Sequence, residues 1–353
     1  MIDPARLVRP PALATGDTVA AVTMSWGGPA AFPDRYEVGV RQLEDALGVR
    51  VVEMPHTRAD PAWLAANPRA RADDLLAAFA DPSIRGIVAT IGGDDSIRCL
   101  PFLDLPMIRA NPKVVLGFSD TTVTHLACLR AGLVTFYGPA IMAGFAENGG
   151  PHTYTLQGVR AATFEPSPDR VWAPNEDGWT VEHLDWGNPA NQERIRSLRP
   201  TTGWRWLGGD PSAGPLVGGC LEPLDWVRGT EWWPDLDGAV LALETSEEAP
   251  PPASVARFLR SLAASGDLAR LAGLLFARPG GPDLPVADHP AYDEAILGVI
   301  RDEARLEHLP VVTGMDFGHT DPMWTLALGT SVEIDPSTAT VRFPEPGVAE
   351  RVG

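Results

Sequence analysis

Between residues 18 and 140 short apolar runs alternate with stretches of helical spacing, and this alternation constrains the fold more than any other feature. "TVAAVTM", "RVVEM", "IRGIVATIGG", "KVVLGFS" and "LVTFYGPAI" read as strands, with "YEVGVRQLEDALG" and "RARADDLLAAFAD" as helices among them. Apolar strands separated by helices predict an α/β fold with a parallel sheet covered on both faces. Ligands of such sheets gather at the C-terminal ends of the strands. Four loops are therefore expected to converge: "SWGG" (25–28), "GGDDS" (92–96), "GFSD" (117–120) and "YGPA" (137–140).

The character of the chain then changes twice, which suggests an N-terminal domain over 1–165, an excursion over 166–214 and a C-terminal domain over 215–353. The excursion is rich in Pro and Gly and holds five of the 11 tryptophans: Trp172, Trp179, Trp186, Trp204 and Trp206. These indoles either anchor a long loop or wall a flat ligand. In the last part "GPLVGGCLEPLDWVRGT" reads as a glycine turn entering a helix. "GAVLALE" and "LAGLLFAR" read as strands, and "ASVARFLRSLAAS" and "HPAYDEAILGVIRDEAR" as helices. "LPVVTGMDFGHTDP" reads as a strand and loop, and the stretch from Trp324 closes with a hairpin. There is no internal repeat.

Charge and cysteine usage exclude several classes. The net charge is −18 over 353 residues and Lys113 is the only lysine, so a nucleic acid polymer or an anionic membrane is a poor partner. A phosphate-binding P-loop is excluded for want of its lysine. Cys99, Cys128 and Cys220 fit no zinc spacing and no disulfide framework. No cofactor and no metal are expected. The N-terminus lacks the apolar core of a signal peptide, and no apolar run is long enough to span a membrane, so a cytoplasmic protein is expected.

Ser119 is the strongest candidate nucleophile, because it stands at the sharp exit of a buried strand. A serine needs a base and a pair of donors for the developing oxyanion. The N–H of Asp120 is one such donor, and the neighbouring Gly92–Gly93 loop offers another. "GFSD" is not the hydrolase G-x-S-x-G elbow, and Ser or Asp also cap helices routinely. Among seven histidines, His319 is the best base, since it lies in the short polar loop "DFGHTDP" after a strand. His125 lies one helical turn beyond Thr121, and His183 within the excursion. His56, His152, His289 and His308 read as surface residues. Glu244 ends an apolar strand and is a candidate to orient an imidazole. Glu247 and Glu248 read as solvated loop acids.

Taken in order, "IGGDDSIRCLPFLD", "VVLGFSDTTVTHLA", "FYGPAI", "GGCLEPL", "GAVLALE" and "GMDFGHTDPMWTLALG" resemble the serine peptidase family of LD-carboxypeptidases and microcin C self-immunity peptidases, across nearly the whole chain. The resemblance implies a flavodoxin-like domain followed by a smaller α/β domain of the swivelling type. It implies a Ser–Glu–His triad of Ser119, Glu244 and His319, with an oxyanion hole from the amides of Gly93 and Asp120. It also implies substrate contacts at Asp94, Trp186 and Cys220. The "GHTDP" spelling and "WTVEHLDW" are similar to the immunity-type branch, in which Trp186 would stack a nucleotide base. Cys220 departs from the asparagine usual in the family. The implied activity is hydrolysis of an amide or acyl-nucleotide bond next to an amino acid, as in detoxification of microcin C-like aminoacyl nucleotides. Cleavage of murein tetrapeptide is the alternative, and a non-catalytic ligand-binding module is the alternative of another class. The implied partners are a small-molecule or short-peptide substrate and a second copy of the chain in a homodimer.

Overall fold

The apolar runs become strands because both faces of each are covered. The computed structural model describes residues 2–191 and 193–351. In it β1 (Thr18–Val22), β2 (Arg50–Glu53), β3 (Ile84–Ala89), β4 (Val114–Gly117) and β5 (Thr135–Tyr137) pair in parallel, in the order 2-1-3-4-5. Val19, Ala20, Ile87, Val88, Val115 and Leu116 are all buried. The order is flavodoxin-like and reverses between β1 and β3. The helices stop where glycine permits a left-handed residue: Pro33–Leu47 ends at Gly48 (φ 69°) and Thr121–Ala131 at Gly132 (φ 85°).

The remaining strands are β6 (Arg170–Trp172), β7 (Arg205–Trp206), β8 (Ser212–Cys220), β9 (Val240–Glu244), β10 (Gly273–Ala277), β11 (Val311–Met315), β12 (Leu326–Leu328), β13 (Ser331–Asp335) and β14 (Thr340–Phe343). Among the described residues all but β12 form an eight-stranded sheet, ordered 6-14-13-8-9-10-11-7. Its centre, β8 to β11, is parallel, and its flanks are antiparallel. β12 instead crosses back and pairs antiparallel with β5, as the sixth strand of the first sheet.

Two local expectations are corrected. The stretch read as a glycine turn is β8, the longest described strand. Its glycines serve close approach: a Cβ on Gly218 would lie 2.7 Å from the carbonyl carbon of Ala242, and one on Gly219 would lie 2.7 Å from Cγ2 of Thr122. His289, read as a surface residue, is buried, with its ring 5.6 Å from that of Trp179.

The helix Thr121–Ala131 joins the two halves. Ten of its eleven residues are buried. Val123, Leu126, Ala127 and Leu129 share one core with Val217, Leu221, Leu224 and Leu241 of the second half. A helix enclosed this way can be apolar all round. Among the described residues no helix is long and apolar enough to cross a membrane.

Candidate active site

The exit of β4 is a tight turn. Ser119 has φ 61°, a left-handed conformation that costs a non-glycine residue on the order of 1–3 kcal/mol and persists only where its surroundings enforce it. They do so from three sides. The Ser119 N–H donates to the Tyr137 hydroxyl at 3.0 Å. A Cβ on Gly92 would lie 2.8 Å from Cβ and 2.9 Å from Oγ of Ser119, so the neighbouring loop comes that close only as glycine. His125, one turn into the helix, donates from Nε2 to the Gly117 carbonyl at 2.9 Å. Burial pushes the His125 pKa down to about 4, which keeps it neutral.

The four strand-end loops do converge. The N–H of Trp26 donates to the Gly92 carbonyl at 3.2 Å, and that of Gly138 to the Gly117 carbonyl at 3.0 Å. Asp120, fully buried, accepts the N–H groups of Asp95 (3.1 Å) and Ser96 (2.9 Å) and the Ser96 hydroxyl. Burial raises its pKa, and these bonds act against the rise. Arg71, also fully buried, holds the Met24 carbonyl at 2.8 Å and Asp95 at 2.9 Å. Gly93 (φ 143°) and the exposed Asp94 sit on the loop so anchored.

The second sheet brings up an acid and an imidazole. Glu244, 1% exposed at the end of β9, lies 2.9 and 2.7 Å from Nδ1 of His319 through its two carboxylate oxygens. It also accepts the His319 N–H at 3.3 Å. Oε1 of Glu244 accepts the Tyr137 hydroxyl at 2.5 Å. One line of contacts therefore runs from Ser119 through Tyr137 and Glu244 to His319, and Phe118 covers the imidazole with ring centroids 4.9 Å apart. Tyr137 is the member that sequence reasoning missed. Burial and the Glu244 charge hold its hydroxyl protonated, with its pKa well above the ordinary tyrosine value.

Cys220 ends β8 in register with Glu244. Its N–H donates to Oγ1 of Thr122 at 3.0 Å, and its thiol donates to Oε2 of Glu222 at 3.2 Å. Burial, followed by the charges of Glu244 and Glu222, pushes the thiol pKa well above its usual value. Cys220, Glu244 and His319 bring a thiol, a carboxylate and an imidazole within 4.8 Å. The carboxylate also accepts the Tyr137 hydroxyl and faces Nδ1 of His319. Glu247 corrects its own reading as a solvated acid. Its side chain is 68% exposed, yet its carboxylate lies 3.1 Å from Nε2 of His319.

The tryptophans divide. Trp172 and Trp179 are buried, and Trp172 packs on Trp204 with centroids 4.8 Å apart. The Trp204 indole N–H donates to Asp316 at 2.7 Å. Trp186 is half-buried, with Phe32 5.8 Å away and the Arg35 guanidinium 5.0 Å from its ring. It lines a cavity of about 90 Å³ together with Arg35, His183, Arg196 and Asp321. Arg196 bridges Glu147 and Asp321, and Thr180 pairs with Asp321, which ties the excursion to the loop of His319.

Residues 19–138 match the LD-carboxypeptidase N-terminal domain, and residues 213–334 match the LD-carboxypeptidase C-terminal domain. The chain is 30% identical over 340 residues to the Microcin C7 self-immunity protein MccF of Escherichia coli, covering 94% of each. It is 27% identical over 345 residues to a probable murein peptide carboxypeptidase of Bacillus subtilis, covering 97% of this chain and 96% of the relative. Its fold is similar to that of an MccF-like protein from Streptococcus pneumoniae in complex with AMP (TM-score 0.82, 29% identity, 93% and 99% coverage). It is also similar to that of MccF in complex with aspartyl sulfamoyl adenosine (TM-score 0.84, 26% identity, 97% and 100% coverage).

Proposed function

The chain belongs to the LD-carboxypeptidase family of serine peptidases, and from that premise we propose that it hydrolyses the acyl bond of an aminoacyl nucleotide with Ser119, His319 and Glu244 as its triad. The observation that carries this reading is the continuous contact from Ser119 through Tyr137 and Glu244 to His319. Glu244 holds Nδ1–H of His319, and Nε2, once clear of Glu247, takes the proton of the Ser119 hydroxyl. Oγ then attacks the aminoacyl carbonyl carbon, and the C=O electron pair moves onto oxygen. The N–H groups of Asp120 and Gly93 are the donors for that oxyanion. As the tetrahedral intermediate collapses, the bond to the leaving group breaks and His319 returns the proton to it. Water repeats the sequence against the acyl-enzyme and releases the amino acid. Tyr137 positions both ends of this unit.

The nucleotide half of the reading is supported by the cavity beside Trp186, where an indole, the Arg35 guanidinium and His183 stand together, Arg196 being held by Glu147 and Asp321. Indole suits a purine face and guanidinium suits a phosphate or sulfamate. Relatives of matching length bind AMP and aspartyl sulfamoyl adenosine. The test is to offer wild-type and Ser119→Ala protein an aminoacyl sulfamoyl adenosine and a murein tetrapeptide side by side. Wild-type protein should release the amino acid from the nucleoside, and Ser119→Ala should lower kcat by about 10³–10⁶ with unchanged folding. Cleavage of the tetrapeptide alone would overturn the nucleotide reading. Undiminished turnover by Ser119→Ala would overturn the triad.

A further inference from the structure

The base has an occupant. Nε2 of His319, the nitrogen that must receive the Ser119 proton, faces the carboxylate of Glu247 at 3.1 Å, while Nδ1 faces Glu244 at 2.7 Å. An imidazole held between two carboxylates is protonated on both nitrogens and has no lone pair for a serine. We propose that Glu247 is the counter-ion for the free α-ammonium group of the substrate, and that in the empty enzyme it caps the base instead. The inference rests on the aminoacyl reading above and narrows it.

Three observations support it. Glu247 can leave: it is 68% exposed and lies on the loop between β9 and the helix Pro252–Ser265, whereas Glu244 is fixed at 1% exposure. It has reason to stay until displaced. Burial of His319 opposes its charge, but Glu244 and Glu247 outweigh that and raise the imidazole pKa to about 10, and the His319 bond lowers that of Glu247 to about 2. Water near neutral pH leaves such a pair intact, so a competing cation is needed. The third is position. A carbonyl attacked by Ser119 lies within a few ångströms of Nε2, and the α-nitrogen is two bonds from its carbon, in reach of the displaced carboxylate. The neighbouring acid, Glu222, is already taken by the Cys220 thiol and the Ser246 hydroxyl.

The groups facing His319 are Glu244 from β9, Glu247 from the following loop, the Phe118 ring from the serine turn and Cys220 from β8. Tyr137 acts through Glu244. His183 adds a weaker pull on Glu247. The substrate class that follows is an amino acid with a free amine, bonded through its carbonyl to the leaving group. A murein tetrapeptide does not qualify at its last bond, because there the α-nitrogen of the acyl residue is already in a peptide link.

The experiment uses the full chain and Glu247→Gln, with alanyl sulfamoyl adenosine and its N-acetyl derivative as probes. Wild-type protein should prefer the free amine by about tenfold or more in kcat/KM, the scale of one partly screened ion pair, and Glu247→Gln should reduce that preference to about threefold or less. An equal preference in both proteins, or none in the wild type, overturns the proposal. A second measurement is the rate at which a neutral fluorophosphonate labels Ser119 as a function of pH. A raised His319 pKa means that the wild-type rate rises only at alkaline pH, and Glu247→Gln should move this limb down by about one unit or more. An unmoved limb also overturns the proposal. If neither nucleoside is cleaved but the limb moves, the aminoacyl reading fails and the cap on the base stands. Absence of labelling in both proteins sinks both.

Discussion

The turn at residues 117–120 and the tryptophan-rich segment at 166–214 both end beside the loop of His319, and they are held there by different physics. The turn is fixed by short buried bonds from its own sheet: Tyr137 on the Ser119 N–H, His125 on Gly117, and Asp120 on the glycine loop. The segment is fixed from far away, by indoles packed edge to face and by Arg196 reaching Glu147 and Asp321. A buried network tolerates little change, because each lost partner leaves a polar group dry. Indole packing tolerates more, and only the Arg196 link, 14% exposed between Glu147 and Asp321, shares the turn's sensitivity. The difference suggests a division in which the turn carries the reaction and the segment selects its substrate.

The largest effect that could break this division is at Asp120. Asp120→Ala removes three bonds that anchor the loop bearing Gly93, and should lower kcat by about 10²–10³, the usual cost of losing one oxyanion donor. The loss should be the same on every substrate the enzyme cleaves. A loss confined to KM would mean that the loop serves binding. Next comes Trp186→Ala, which should reduce kcat/KM by about tenfold to a hundredfold for a nucleoside substrate, since base stacking is worth roughly 1–3 kcal/mol. The same variant should leave cleavage of a short peptide ester unchanged. Equal losses on both substrates would make Trp186 a structural anchor and erase the distinction between segment and turn.

The smallest effect sharpens the comparison through pH. His125 has its pKa depressed by burial to about 4, against about 6.5 when unfolded. A depressed histidine contributes stability that is complete above the unfolded value and is lost progressively as pH falls from that value to the folded one. Stability should therefore drop by about 1 kcal/mol between pH 6.5 and 5.5 on account of this one group. Denaturant unfolding at the two pH values measures it. His125→Gln, which keeps a donor for the Gly117 carbonyl but does not titrate, should remove that share of the slope. An unchanged slope would mean that the ring already takes a proton in the folded protein.

Much of this is legible in the amino-acid sequence. Parallel strands buried on both faces read as apolar runs, so the first sheet and its four loops follow from residues 18–140. Ser119, Glu244 and His319 stand at strand ends, where polar residues interrupt apolar sequence, and they do lie on one line of contacts. What escaped depends on tertiary placement. Tyr137 ends a strand like any core aromatic, and its importance lies in Glu244, 107 residues away. Gly218 and Gly219 read as a turn, because the backbone of β9 and the Thr122 side chain pressing on them leave no local trace. Glu247 looks like a surface acid and is mostly exposed; only its partner makes it notable. β12, three residues long, carries no pattern that would assign it to the first sheet.

That last strand bears on how the protein is made. Until Leu326–Leu328 has been synthesised, the outer edge of β5 has no partner, although everything else in that sheet left the ribosome long before. An open β edge is a template for pairing with the wrong chain. The nascent N-terminal half therefore waits through synthesis of the whole second half with an adhesive rim, and closure by so distant a strand is slow to arrive. Truncation ahead of Leu326 should leave a product that aggregates, although it still holds Ser119, Glu244 and His319.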